Sequence, residues 1–217
     1  MDPRRLHPAA HHGGVIFAGQ ILLLFAVPWL DEGERHVPLG VFATAIAVSA
    51  VTVLLLGHRR SATFLAALSG LSLVAILVAG ERLNLRLPGM LGLALVYARA
   101  AWLSVRHAFA TGVTATQRIL CGAAGYVMLG FIFAVLHALV GMWQDGAYVS
   151  AAGRQPRWLD FVWLSFSILT TAGFAEFVAV DRWASMLCSL GAITGVLFPA
   201  TLIARIASLP SEPDAPA

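Results

Sequence analysis

Lysine is absent from this chain: all 14 basic side chains among its 217 residues are arginine. Charge of either sign is scarce, at 12%, where a soluble domain carries about a quarter. So little polar surface excludes a water-soluble globule. The formal charge of +3 is spread among the loops, which excludes a concentrated nucleic-acid-binding patch. The only two cysteines, Cys121 and Cys188, lie inside apolar runs, so there is no disulfide framework and both read as buried thiols. Asp and Glu are missing from the six runs long enough to span a bilayer, leaving His137, Arg99 and Gln20 without the acids that an intramembrane enzyme would need. No catalytic residue, metal ligand or organic cofactor is expected. His7, His11 and His12 read as part of a mobile tail rather than a metal site.

What is present in abundance is hydrocarbon. Hydrophobic residues make up 59% of the chain, with a mean hydropathy of +0.82. They fall in blocks of about 17–25 residues, the length that crosses a bilayer as a helix. Spans are expected at about 14–30, 39–57, 62–80, 88–105, 118–143 and 182–209. The first run ends in "FAVPWLDEGE" with no small-residue cleavage site, so it reads as a retained helix and not a signal peptide. Arg4, Arg5, Arg59, Arg60, Arg106 and Arg118 place the short loops that carry them, and both termini, on the cytoplasmic side of the cell (inner) membrane. A single arginine, Arg99, lies well inside the fourth span, so no voltage sensor is recognisable.

This divides the chain into an N-terminal cytoplasmic tail (1–13), a four-helix membrane domain (14–105), a two-helix domain (106–209) and a Pro-rich disordered cytoplasmic tail (210–217). Between the last two spans lies a seventh apolar segment, about 158–171, too short to span and therefore a candidate re-entrant helix. It runs into "SFSILTTAGFAEF", residues 165–177. Non-helical backbone at membrane depth is tolerated only where protein covers it or water fills a cavity. A short helix followed by a polar loop that exposes carbonyls is how an ion-selective pore replaces an ion's water shell. Thr171 would add a hydroxyl, and Gly173 permits the positive φ that turns successive carbonyls one way.

Here the chain resembles the six-helix tetrameric potassium channels of bacteria. Their filter reads T-x-G-[YF]-G-D, and "TAGFAE" matches at Thr171, Gly173 and Phe174, with Glu176 in place of the acid. The likeness continues without a gap to Gly195, at the family's hinge glycine, and to "LIARI" at 202–206. It departs at Ala172, where the family has Val or Ile, and at Ala175, where it has a second glycine. The resemblance implies an all-α integral membrane fold of six spans, with a pore helix (158–171) and filter loop (171–176) between the last two. Thr170, Thr171, Ala172, Gly173, Phe174 and Ala175 would bind permeant potassium or sodium, Glu176 would sit at the outer mouth, and Gly195 with Pro199 would form a gating hinge. One loop per chain implies a homotetramer, embedded in the lipid bilayer, without nucleic acid or soluble ligand. The expected function is passage of monovalent cations, potassium foremost. The alternative is a non-conducting or weakly selective pore-like subunit with an interaction role.

Overall fold

The computed structural model describes residues 17–22, 24, 67–72, 74–75, 83–110, 113–150 and 152–208. The expected spans at 14–30, 39–57 and 62–80 lie outside the described residues, apart from short helical stretches at 17–22 and 67–72. Both terminal tails, with His7, His11 and His12, lie outside them as well.

Helix α1 (Leu83–Ala108) starts upstream of the expected boundary at 88 and continues through Pro88. Arg106 and His107 in its last turn complement the negative end of the helix dipole. Leu93, Val96, Tyr97, Ala100 and Leu103 recur at helical spacing and are buried, while Leu91, Leu95 and Trp102 face outward. A helix apolar on every side belongs in hydrocarbon. Helix α2 (Ala115–Trp143) opens at Thr114, whose hydroxyl accepts the Gln117 amide, satisfying one of the open donors of the first turn. The two helices share one core, centred on Tyr97 stacked on Phe131 at 5.3 Å.

Helix α3 (Trp158–Leu169) has 12 residues and is about 18 Å long, too short to cross a bilayer. Helix α4 (Arg182–Ala207) is capped by Asp181, whose carboxylate accepts the amides of Trp183 at 2.6 Å and Ala184 at 3.4 Å. Of its residues only Ala184, Gly191 and Gly195 are buried. Among the described residues three helices are long and apolar enough to span a membrane: Leu87–Ala108, Ala115–Trp143 and Arg182–Ala207. The fold is thus a membrane-embedded helical one, with three such spans where six are expected, because the other three candidates fall mostly outside the described residues.

A small antiparallel ladder, unforeseen in the all-α reading, joins β1 (Tyr148–Ser150) to β2 (Phe177–Ala179) in the register Tyr148↔Ala179, Val149↔Val178 and Ser150↔Phe177. It pairs the chain just before α3 with the chain just after its loop. Tyr148 and Phe177 bury their rings with Phe161, Leu164 and Ala138 in a second core.

Candidate functional site

The excursion from Ser150 to Phe177 leaves and returns at the same ladder. Its deep end is the C-terminus of α3. There the Leu169 carbonyl accepts the Tyr126 hydroxyl at 2.8 Å, and Gly195 packs so closely that an added Cβ would overlap the Leu169 backbone. Tyr126 and Gly195 each lie in the middle third of their helices, α2 and α4. The short helix therefore ends halfway along two spanning helices.

Ordinary helix-end chemistry then shapes the loop. The Thr171 amide donates to Ile168 O at 3.0 Å and the Ala172 amide to Ser167 O at 2.9 Å, the two bonds of a Schellman cap. That cap needs a left-handed residue at Thr171, and Thr171 has φ 56°. Glycine is usual there; for a β-branched residue the conformation costs about 1–2 kcal/mol. Gly173 is also left-handed, at φ 72°, while Ala172 between them is not. Left-handed residues therefore alternate at 171 and 173, and the pattern stops before Ala175. Among the described residues, no hydrogen bond reaches the carbonyls of Thr171, Ala172 or Gly173. The Thr171 hydroxyl donates to the Thr170 carbonyl at 2.7 Å, and the Thr170 hydroxyl to Phe166 O at 2.7 Å. Residues 170–174 are exposed, and Ala175 is half-buried.

Phe174 rests edge-on against Trp163, with ring centroids 6.1 Å apart. Phe166 turns away to Phe131 at 5.7 Å and fills the space above Gly130, where a side chain would collide with its ring. The Ser165 hydroxyl donates to Gly130 O at 2.6 Å, fixing α3 to α2.

Three positioning residues escaped the sequence reading: Arg154, Tyr126 and Tyr148. Arg154 grips both Asp160 oxygens at 2.7 Å and donates to Glu176 at 2.8 and 3.2 Å. Its guanidinium also lies 4.6 Å from the centre of the Phe177 ring. Hydrogen bonds to Asp160 and then Glu176 raise its pKa above the ordinary arginine value, so it stays cationic. Asp160 accepts the Arg157 amide at 2.6 Å, which makes it an anchor for the start of α3. Glu176 is thus an ion-pair partner and not a solitary loop acid. No signal in the sequence links Arg154 to residues 6 and 22 positions downstream. Tyr148 meets His137 on α2, hydroxyl to Nδ1, at 2.8 Å. Burial raises the Tyr148 phenol above its usual value, with Cys188 and Asp181 adding to the shift.

Gly195, expected as part of a gating hinge, packs against the Leu169 backbone, and this close approach by itself requires a glycine. Helix α4 runs through Pro199 without ending. Among the described residues, no group of three or more His, Cys, Asp or Glu side chains is arranged to hold a metal ion.

No curated protein and no solved structure matches the chain. Residues 139–212 match the family described as "Ion channel". This corrects the resemblance to six-helix tetrameric potassium channels: the matched family is not of that type. Its match begins at Leu139, near the end of α2, and takes in the last residues of that helix, both strands, α3, the loop and α4. Helix α1 and the spans expected before it therefore have no part in it. Over this part of the chain the likeness supports a general ion-channel or transport function in a fold with membrane-length helices.

Proposed function

We propose that the protein passes monovalent cations, potassium foremost, through a pore lined by residues 170–175, with four chains each contributing one loop. The observation that carries this reading is the run of carbonyls at Thr171, Ala172 and Gly173. They have no partner among the described residues, sit beyond a helix that ends halfway along two helices of membrane-spanning length, and have alternating backbone hand. Alternation turns successive carbonyls to one side, the arrangement that can replace an ion's hydration shell. In this reading α3 is a re-entrant pore helix, residues 106–209 form the pore domain, and 14–105 form a separate membrane domain. The two termini face the cytoplasm of a cell whose inner membrane holds the protein, and Glu176 stands at the outer mouth.

One loop cannot surround an ion, so this reading needs several copies in a closed ring, and four is the number proposed. The broadly exposed apolar surface of α4 supports this, because it offers area to neighbouring copies. Because the alternation stops before Ala175, the pore would keep its inner sites and lose outer ones. It would discriminate poorly between potassium and sodium. Two measurements test the proposal together: the mass of the intact assembly in nanodiscs, expected at four chains, and the reversal potential with potassium on one side and sodium on the other. A stable monomer or dimer would rule out the ring of loops. Strong potassium preference would rule out the shortened filter.

A further inference from the structure

Pro199 has no backbone N–H, so the carbonyl four residues upstream, that of Gly195, loses the donor an unbroken α-helix would supply. This same carbonyl lies 3.5 Å from the Tyr126 hydroxyl, which also donates to Leu169 O at 2.8 Å. The Leu169 carbonyl is one of the four that a helix end leaves open. The other three are met locally: Phe166 by the Thr170 amide, Ser167 by Ala172 and Gly173, Ile168 by Thr171. Only the Leu169 carbonyl depends on a side chain from another helix. One hydroxyl proton thus faces two carbonyls, each deprived of its helical donor, on two different helices.

The three groups are held together. Gly195 approaches Leu169 so closely that no side chain fits between them. The Tyr126 ring is stacked on Phe198, one residue before Pro199, at 6.0 Å. We propose that Tyr126 is a positioning residue whose hydroxyl is shared between the Leu169 and Gly195 carbonyls, so that bending of α4 around Pro199 is transmitted to the base of the loop. Bending tilts the Gly195 carbonyl towards the hydroxyl and draws the proton from Leu169. The end of α3 then keeps its Ser165 bond to α2 but loses the one at Leu169, and the Schellman cap loosens. Straightening α4 reverses the sequence. The significance of this for ions rests on the conduction reading above; the coupling itself does not.

The test is amide hydrogen exchange over residues 165–177 in the full chain in nanodiscs, with potassium flux recorded on the same proteins. Tyr126→Phe removes the hydroxyl and keeps the ring, and should speed exchange at Thr170–Gly173 on the order of fivefold to tenfold, the size set by one hydrogen bond. Pro199→Ala returns a backbone donor to Gly195 and should slow that exchange. In the Tyr126→Phe background Pro199→Ala should leave it unchanged, because coupled residues are not additive. Equal effects of Pro199→Ala in both backgrounds, or no response to Tyr126→Phe, would overturn the proposal. Coupled exchange without flux upholds the role of Tyr126 and overturns the pore reading. Flux with additive exchange effects does the reverse.

Discussion

Arg154 and Glu176 are joined at 2.8 Å across the loop, and the same guanidinium holds Asp160 at the start of α3. One side chain therefore ties together the chain before the short helix, its first turn and the end of the loop that follows it. Exposed ion pairs contribute about 0–1 kcal/mol each, but a bidentate network on three segments is the favourable case. It also sets the charge of this trio: two carboxylates share one guanidinium.

Opposite effects on conductance follow for the two partners. Arg154→Gln leaves both carboxylates unpaired and should raise cation conductance at low ionic strength. Glu176→Gln should lower it. Both differences should shrink in high salt, where screening acts within a few ångströms. Single-channel recordings across a salt series check this, and unchanged conductance in both variants would place the cluster away from the ion path.

Selectivity should respond at Ala175. Left-handed backbone occurs at Thr171 and Gly173 and not at Ala175, where a Cβ opposes it. Ala175→Gly should shift the bi-ionic reversal potential towards potassium. No shift would mean that the backbone at 175 does not limit discrimination.

Gly195→Ala separates helix propensity from packing. Alanine in a helix interior is favoured over glycine by about 0.5–1 kcal/mol. Here the new methyl would meet the Leu169 backbone, which cannot move aside without breaking the cap. Overpacking of this kind costs about 1–3 kcal/mol, so packing wins and the variant should unfold at lower temperature. Thermal unfolding in detergent decides it; an unchanged or raised midpoint would show that the contact is not tight.

Alkaline stability should depend on Tyr148. Its pKa in the folded protein is raised above the ordinary value of 10.0, chiefly by burial. The stability this contributes is full below that value and is lost as pH rises towards the folded pKa. The thermal midpoint should therefore fall above about pH 10. Tyr148→Phe should flatten that fall, at the cost of leaving His137 Nδ1 unpaired. An identical alkaline slope in the variant would show that Tyr148 does not ionise at a cost.

What could be read from the sequence was whatever depends on apolar length and local turn chemistry. The bounds of α2, α3 and α4 fell within a few residues of expectation, because runs of hydrocarbon and the Asp181 cap are local signals. The left-handed Gly173 was legible for the same reason. Left-handed Thr171 was not: a threonine signals no such conformation, and only the cap geometry at Ile168 and Ser167 imposes it. Arg154 and Tyr126 act across 22 and 43 positions of chain, separations that carry no periodic signal. The wider family resemblance misled for a related reason. It extended a short, informative stretch to a six-span fold, whereas the family match begins only at Leu139.

The central claim is that residues 170–175 line a cation path. Purified protein in a planar bilayer with a potassium chloride gradient tests it most directly. The account predicts unitary currents that reverse near the potassium equilibrium potential, and that are lost when Gly173→Val removes the left-handed glycine while the four-chain assembly persists. Absence of current, or reversal near the chloride potential, would contradict it.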